Sequence, residues 1–126
     1  MNRYSYKPTV PAARAAAPGS RVSAKSSALV CRAVSGKQIA KGKQLLEGLL
    51  AEKRSIGGRY YTNVAQALLD LVAAAEQNAE QKGLNPERLF IRASAHRGFT
   101  FMTPRRMKLR GRARKVANLQ VVLEQR

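Results

Sequence analysis

The sequence predicts an α+β fold in which helices come first and strands last. Two observations carry this. Between residues 24 and 82, apolar side chains recur at three- and four-residue spacing, as on helices with one buried face. After residue 88 the period drops to two, the spacing of strands, on both sides of TPRRMKLRGRARK, residues 103 to 115. Seven of those thirteen side chains are Arg or Lys and none is acidic.

The length, 126 residues, suits one domain with a tail. Folding at this size buries roughly two thirds of the surface the unfolded chain exposes, and a 44% hydrophobic content supplies a modest core. The formal charge of +17, from 24 basic and 7 acidic residues, opposes compaction unless a polyanion is the normal environment. Nucleic acid is the first candidate and an anionic membrane surface the second. No run of eighteen apolar residues is present to span a bilayer. The N-terminal region is basic, rich in Ser and Ala and free of acid until Glu47, a composition shared with organelle transit peptides, but it has no apolar segment of a secretory signal. A single cysteine, Cys31, excludes an intramolecular disulfide and a Cys-rich zinc site, and fits a reducing compartment. With one His as well, neither a metal nor a cofactor is expected.

In chain order, residues 1–22 read as a basic, irregular tail, because three prolines favour extended backbone around them. Tyr4 and Tyr6 interleave with Arg3 and Lys7, a pattern suited to stacking on bases beside phosphate contacts. Residues 23–126 form the domain. Ser23 caps a helix from Ala24 to about Ser35, closed by Gly36, with Ala28, Cys31 and Val34 on its apolar stripe. Cys31 is expected to be a small core residue. A second helix, about Lys37 to Lys53, buries Ile39, Leu46, Leu49 and Leu50. Lys37, Lys41 and Lys43 crowd its first turns, opposing the macrodipole by a few tenths of a kcal/mol each, so helix stability did not select them. Gly57 and Gly58 break the chain before the third helix, about Val64 to Lys82. Its stripe of Val64, Ala67, Leu68, Leu71, Val72, Ala75 and Ala79 is continuous. Asn63 or Thr62 would cap it, and Gly83 with Pro86 would end it.

RLFIRASAHR, residues 88 to 97, alternates Phe90, Arg92, Ser94 and His96 with Ile91, Ala93 and Ala95, and NLQVVLEQR alternates likewise. Pairing residues 90–97 with 116–123 places a turn near Met107 and a hairpin over 97–116. Its arms would run about ten residues past the sheet, roughly 30 Å at ~3.3 Å per residue. A ribbon of that length is marginal alone and needs a surface to lie on. Even positions from Arg106 to Arg114 are all basic, so strand alternation would gather charge on one side of each arm. Five neutralised phosphates would give a slope of log K against log salt of roughly −3.5 to −4.5. Catalytic chemistry is lacking: His96 has no carboxylate at a telling spacing, and GKQIAKGKQ does not meet the phosphate-loop pattern. The chain does not read as an enzyme.

The opening M-x-R-Y-S, RVSAKSSALVCRAVSGK, AAAEQNAEQKGLNPERLFI and AHRGFTFMTPRRMKLRGRARK together resemble archaeal and eukaryotic members of the large-subunit ribosomal protein 22 family. The resemblance spans nearly the whole chain. It implies three helices on a small antiparallel or mixed three-stranded sheet, an extended N-terminal tail and a long protruding β-hairpin. It also implies a structural, non-catalytic role: binding large-subunit rRNA, supporting its assembly and lining the nascent-peptide exit tunnel, in the cytoplasm and without homo-oligomerisation. Expected partners are rRNA, neighbouring large-subunit proteins and the nascent peptide. By motif, Arg3, Tyr4, Lys7, Arg105, Arg106, Lys108, Arg110, Arg112 and Arg114 would contact rRNA, with Met107, Lys108 and Leu109 at the tunnel-lining tip. Arg14, Arg21, Lys25, Arg32, Lys37, Arg59, Arg97 and Lys115 complete the expected contact set. Three departures stand out. The return arm after Gly111-Arg112-Ala113 is about three residues short, with Val116-Ala117-Asn118 replacing a basic-Thr-Ser-His lead into the last strand. The loop over residues 54–62 lacks an insertion common in relatives, and the third helix lacks a basic residue near its start. Two rivals remain at this stage: a DNA-architectural protein with a basic β-arm, and an organelle-imported enzyme whose N-terminus is removed on maturation.

Overall fold

A computed structural model describes residues 6–106 and 108–126; the expectations placed on Arg3, Tyr4 and Met107 lie outside them. In chain order the elements are strand β1 (Ala12–Ser20), helices α1 (Ala24–Val34), α2 (Ile39–Leu50) and α3 (Thr62–Gln81), a 3-10 turn over Pro86–Arg88, and strands β2 (Leu89–Met102) and β3 (Ala113–Gln125). The fold is α+β. The sheet is antiparallel throughout, in the order β1-β3-β2, so β3 is central.

The helices form where their periodicity demands. Ser23 caps α1, its side chain accepting from the Ser26 amide. In α3, Val64, Leu68, Leu71, Val72, Ala75 and Ala79 are buried, Ala67 is half-buried, and Ala65 joins them. The helix ends as expected: Gly83 takes φ +72°, and the Leu84 amide reaches back to the Ala79 carbonyl. Two start signals differ from expectation. Tyr61, in the left-handed region at φ 46°, occupies the cap of α3 and supplies no side-chain acceptor. Lys37 lies outside α2, because its carbonyl accepts from the Ile91 amide and ties the α1–α2 link to β2.

Residues 12–20 correct the reading of an irregular tail. They form an edge strand, with Ala13 and Ala15 buried towards the helices and Arg14 exposed on the opposite face. Alanine has little strand propensity of its own; pairing with β3 and burial against the helices override it. Pro18 is tolerated because it sits on the sheet edge, at a bulge between Ala17 and Ser20. The β2–β3 pairing is one residue away from the expected register: Phe90 faces Glu124 and Arg97 faces Ala117. This register sets Ile91, Ala93 and Ala95 opposite Leu123, Val121 and Leu119, and the one-residue slip would have turned one of these apolar sets away from the helices. Leu46, Leu49, Leu68, Leu89, Ile91, Leu119 and Leu123 are the large, fully buried aliphatics of the core, each contributing about 1.5–3 kcal/mol of burial.

At the hairpin root the sheet loosens on both sides of β3. A second bulge lies between Arg97 and Thr100, opposite the one in β1. Asn118 spans the two: its Oδ1 accepts from the Gly19 amide at 2.9 Å, and its Nδ2 lies 3.1 Å from His96 Nε2. Gly19 takes φ +70°, which closes the β1 bulge. A Cβ on Gly98 would stand 2.8 Å from Val116 Cγ2 and 3.2 Å from the Val116 carbonyl oxygen.

The ribbon beyond the bulges is shorter than expected. Pairing continues from Arg97 to Met102, opposite Ala113, about 16 Å at ~3.3 Å per residue. The described residues between Met102 and Ala113 are turns or irregular backbone, not strand, and Thr103 amide and hydroxyl bonds to the Arg112 carbonyl close the segment. Arg110 and Gly111 both take positive φ there, at 40° and 75°. Arg106, Lys108, Arg110 and Arg112 therefore do not sort charge onto one side of a strand; they lie in a loop.

Candidate nucleic-acid interface

Every described cation of the expected contact set is exposed: Lys7, Arg14, Arg21, Lys25, Arg32, Lys37, Arg59, Arg97, Arg105, Arg106, Lys108, Arg110, Arg112, Arg114 and Lys115. Leu109, expected at the tip, is half-buried. Ion pairs join Lys43 to Glu76, and Glu124 to Arg92 and Arg126, so these carboxylates are engaged by cations outside the set.

The fold divides the set into groups. Arg21, Lys25, Arg97, Arg114 and Lys115 converge on one cleft of about 1080 Å³ between the hairpin and the first turns of α1 and α3. Its walls include Val22, Tyr61, Phe101, Met102, Pro104 and Leu109, and none of its eighteen lining residues is acidic. No first turn of α1, α2 or α3 carries an acidic residue, and the α3 start lacks a side-chain cap, so the positive helix ends at this cleft are not offset locally. Arg105, Arg106, Lys108, Arg110 and Arg112 occupy the hairpin loop just beyond.

The others stand apart. Arg14 is on the edge strand, where its carbonyl accepts from Asn78 of α3. Arg32 is in the last turn of α1, and Lys37 follows in the link tied to β2. Arg59 closes a tight turn with Ile56. Tyr61, at the α3 cap, and Phe101, on the hairpin, are cleft residues that the sequence reading did not single out. Phe101 carries the Arg21 guanidinium 5.5 Å from its ring centroid, and Phe99 lies 6.3 Å away, tilted. Arg-Gly-Phe-x-Phe, residues 97–101, beside a basic run was the available signal.

On the sheet face away from the helices, Arg92 lies over the Tyr6 ring at 4.6 Å, and Glu124 is buried between Arg92 (3.9 Å) and Arg126 (3.3 Å). The Tyr6 hydroxyl is held above the usual tyrosine value, first by its hydrogen bond to Glu124, then by desolvation and the Glu124 charge, against the lowering effect of both arginines. Burial pushes the Cys31 thiol up to about 12, as befits a small core residue. His96 Nε2 lies within hydrogen-bond distance of the Asn118 amide. Among the described residues no cluster of His, Cys, Asp and Glu could hold a metal ion, and no helix is long and apolar enough to cross a membrane.

Residues 15–123 match the family described as Ribosomal protein L22p/L17e. Relatives named large ribosomal subunit protein uL22 include that of Methanococcoides burtonii, 31% identical over 82% of this chain and 83% of its own. That of Archaeoglobus fulgidus is 33% identical over 75% of this chain and 76% of its own. That of Methanocaldococcus jannaschii is 29% identical over 99% of this chain and 97% of its own. A family match running from inside β1 almost to the end of β3 shows that this chain belongs to the ribosomal protein L22p/L17e family, whose members are structural ribosomal proteins and not enzymes.

Proposed function

We propose that the protein is built into the large ribosomal subunit in the cytoplasm, where it binds large-subunit rRNA and supports its assembly. The observation that carries this reading is the concentration of exposed cations at the hairpin loop and the cleft at its root, with no acidic residue lining that cleft. A folded domain of charge +17 needs a polyanion to relieve its self-repulsion. Arg predominates in the loop, and its planar fork suits phosphate and base stacking together. Arg3, Tyr4 and Lys7 of the tail add contacts, as do Arg14, Arg32, Lys37 and Arg59 on outlying surfaces of the domain. The hairpin projects through rRNA towards the nascent-peptide exit tunnel, with Met107, Lys108 and Leu109 nearest the peptide and neighbouring ribosomal proteins around the domain.

Competition at matched salt between structured large-subunit rRNA and duplex DNA tests the RNA reading. Retention on rRNA is expected, with a log–log salt slope of roughly −3.5 to −4.5 if five phosphates are neutralised. Equal binding to duplex DNA, or loss from large subunits in a high-salt wash that leaves other core proteins in place, would refute it.

A further inference from the structure

We propose that the cleft between the hairpin and the first turns of α1 and α3 is a pocket for one unstacked, single-stranded RNA nucleotide, distinct from the phosphate contacts of the hairpin loop. The inference rests on the RNA-binding reading above and adds to it a discrete site with a stated ligand geometry.

The cleft joins two kinds of surface. Arg97, Arg114, Lys115 and Lys25 supply positive charge, and no carboxylate among the lining residues answers them. Nothing within the fold explains that convergence, since like charges gathered at one opening disfavour the folded state. The wall is apolar and aromatic, from Val22, Phe101 and Leu109, which are each half-buried. A bare phosphate gains little from such a wall. Bases inside an RNA duplex cannot reach it, because their faces are already stacked. A nucleotide turned out of its stack satisfies both, with its phosphate at the cations and its base on the ring system. Phe101 is prepared for this by the Arg21 guanidinium 5.5 Å from its centroid, which joins a cationic plane to an aromatic one. At about 1080 Å³ the cleft is slightly larger than most small-ligand pockets, roughly 300–1,000 Å³, and so admits a nucleotide. Poly-glutamate would meet the cations but has no planar ring for the wall.

The test uses the full chain, a fluorescently labelled single-stranded RNA oligonucleotide and an RNA duplex of equal phosphate count, read by anisotropy across a salt series. Poly-glutamate serves as a competitor. Phe101→Leu is expected to weaken single-strand binding roughly five- to a hundredfold while leaving the salt slope unchanged. Arg97→Gln and Lys115→Gln should each reduce the slope by about 0.7. Arg32→Gln, outside the cleft, should weaken binding less than either. Circular dichroism melts of each variant separate lost binding from lost folding, and Lys115→Gln, an exposed change, keeps the test open if Phe101→Leu melts early. Equal losses from Arg32→Gln and the cleft variants would overturn the proposal, as would a silent Phe101→Leu, equal affinity for duplex, or equal competition by poly-glutamate. If binding falls only with Arg105→Gln and Arg106→Gln, the pocket is refuted and the RNA reading stands. If the unaltered chain binds no RNA at all, both fail.

Discussion

Replacing Gly98 with alanine tests whether the hairpin root is held as tightly as its geometry indicates. The new Cβ would meet Val116 Cγ2 at 2.8 Å, Asn118 Oδ1 at 3.0 Å and the Val116 carbonyl oxygen at 3.2 Å. Favourable carbon contacts begin near 3.5 Å, so the closest neighbour must retreat by about 0.7 Å. Three routes of relief exist, and each is obstructed. Val116 is buried and β-branched, with a restricted first torsion. Its carbonyl belongs to the central strand. Moving Asn118 loosens its bond to the Gly19 amide, worth about 1 kcal/mol. Overpacking of this kind costs about 1–3 kcal/mol. The reduced freedom of the unfolded chain returns about 0.4–1 kcal/mol, since Gly98 is not among the positive-φ glycines. Net destabilisation of about 1–2 kcal/mol is expected. Urea unfolding followed by circular dichroism measures it, and is preferable to guanidinium chloride because salt would screen a charge of +17. Gly48→Ala in α2 supplies the opposite sign. The three atoms nearest its Cβ, at 3.1–3.5 Å, all belong to the exposed and flexible Arg54 side chain, so a gain of up to about 1 kcal/mol from helix propensity is expected. A Gly98→Ala protein as stable as the original, with the Gly19 amide equally protected from exchange, would refute this account of the root.

Two further outcomes follow from the body of the domain. The Ser35 hydroxyl donates to the Ala93 carbonyl and accepts from the Ala93 amide, so Ser35→Ala strips both partners from the outer edge of β2. A loss of about 1–3 kcal/mol in urea unfolding is expected, with Ser26→Ala, on the surface turn of α1, as a milder comparison. Cys31, its thiol pushed to about 12 by burial, should react with an aromatic disulfide roughly a thousandfold more slowly than an exposed thiol near pH 8. Because that value is raised, the folded state loses relative stability as the pH climbs above the ordinary thiol range, and unfolding should accelerate the labelling there.

The helices were legible because twenty residues of strict periodicity leave α3 little choice, and Ser23 and Gly83 mark their ends with local chemistry. The edge strand was not. Ala-Ala-Arg-Ala-Ala-Ala-Pro-Gly-Ser has no β-branched residue, and its extended pairing is imposed by partners more than a hundred positions away in the sequence, such as Glu124 opposite Ala12. The hairpin misled in the other direction. Alternating Arg and Lys imitates a strand, yet Arg110 and Gly111 adopt positive φ and the segment turns. The cleft was hidden for a related reason: Arg21, Lys25, Arg97 and Arg114 were each visible as cations, but only the bulges and the returning loop bring them to one opening.

The central place of β3 has a consequence for how the molecule is made. Both other strands bond to β3 and to nothing else in the sheet, although β1 is separated from it by about ninety residues that hold the three helices and β2. During synthesis from the N-terminus, β1 therefore waits with its backbone unpaired while α1, α2 and α3 emerge and can form by local bonds. Only when residues 113–125 clear the site of synthesis do both halves of the sheet close, over the longest loop the topology allows. Until then the unpaired β1, an alanine-rich segment without bulky apolar side chains, offers little for neighbouring chains to hold. The composition that made it hard to recognise as a strand also protects the protein during this interval.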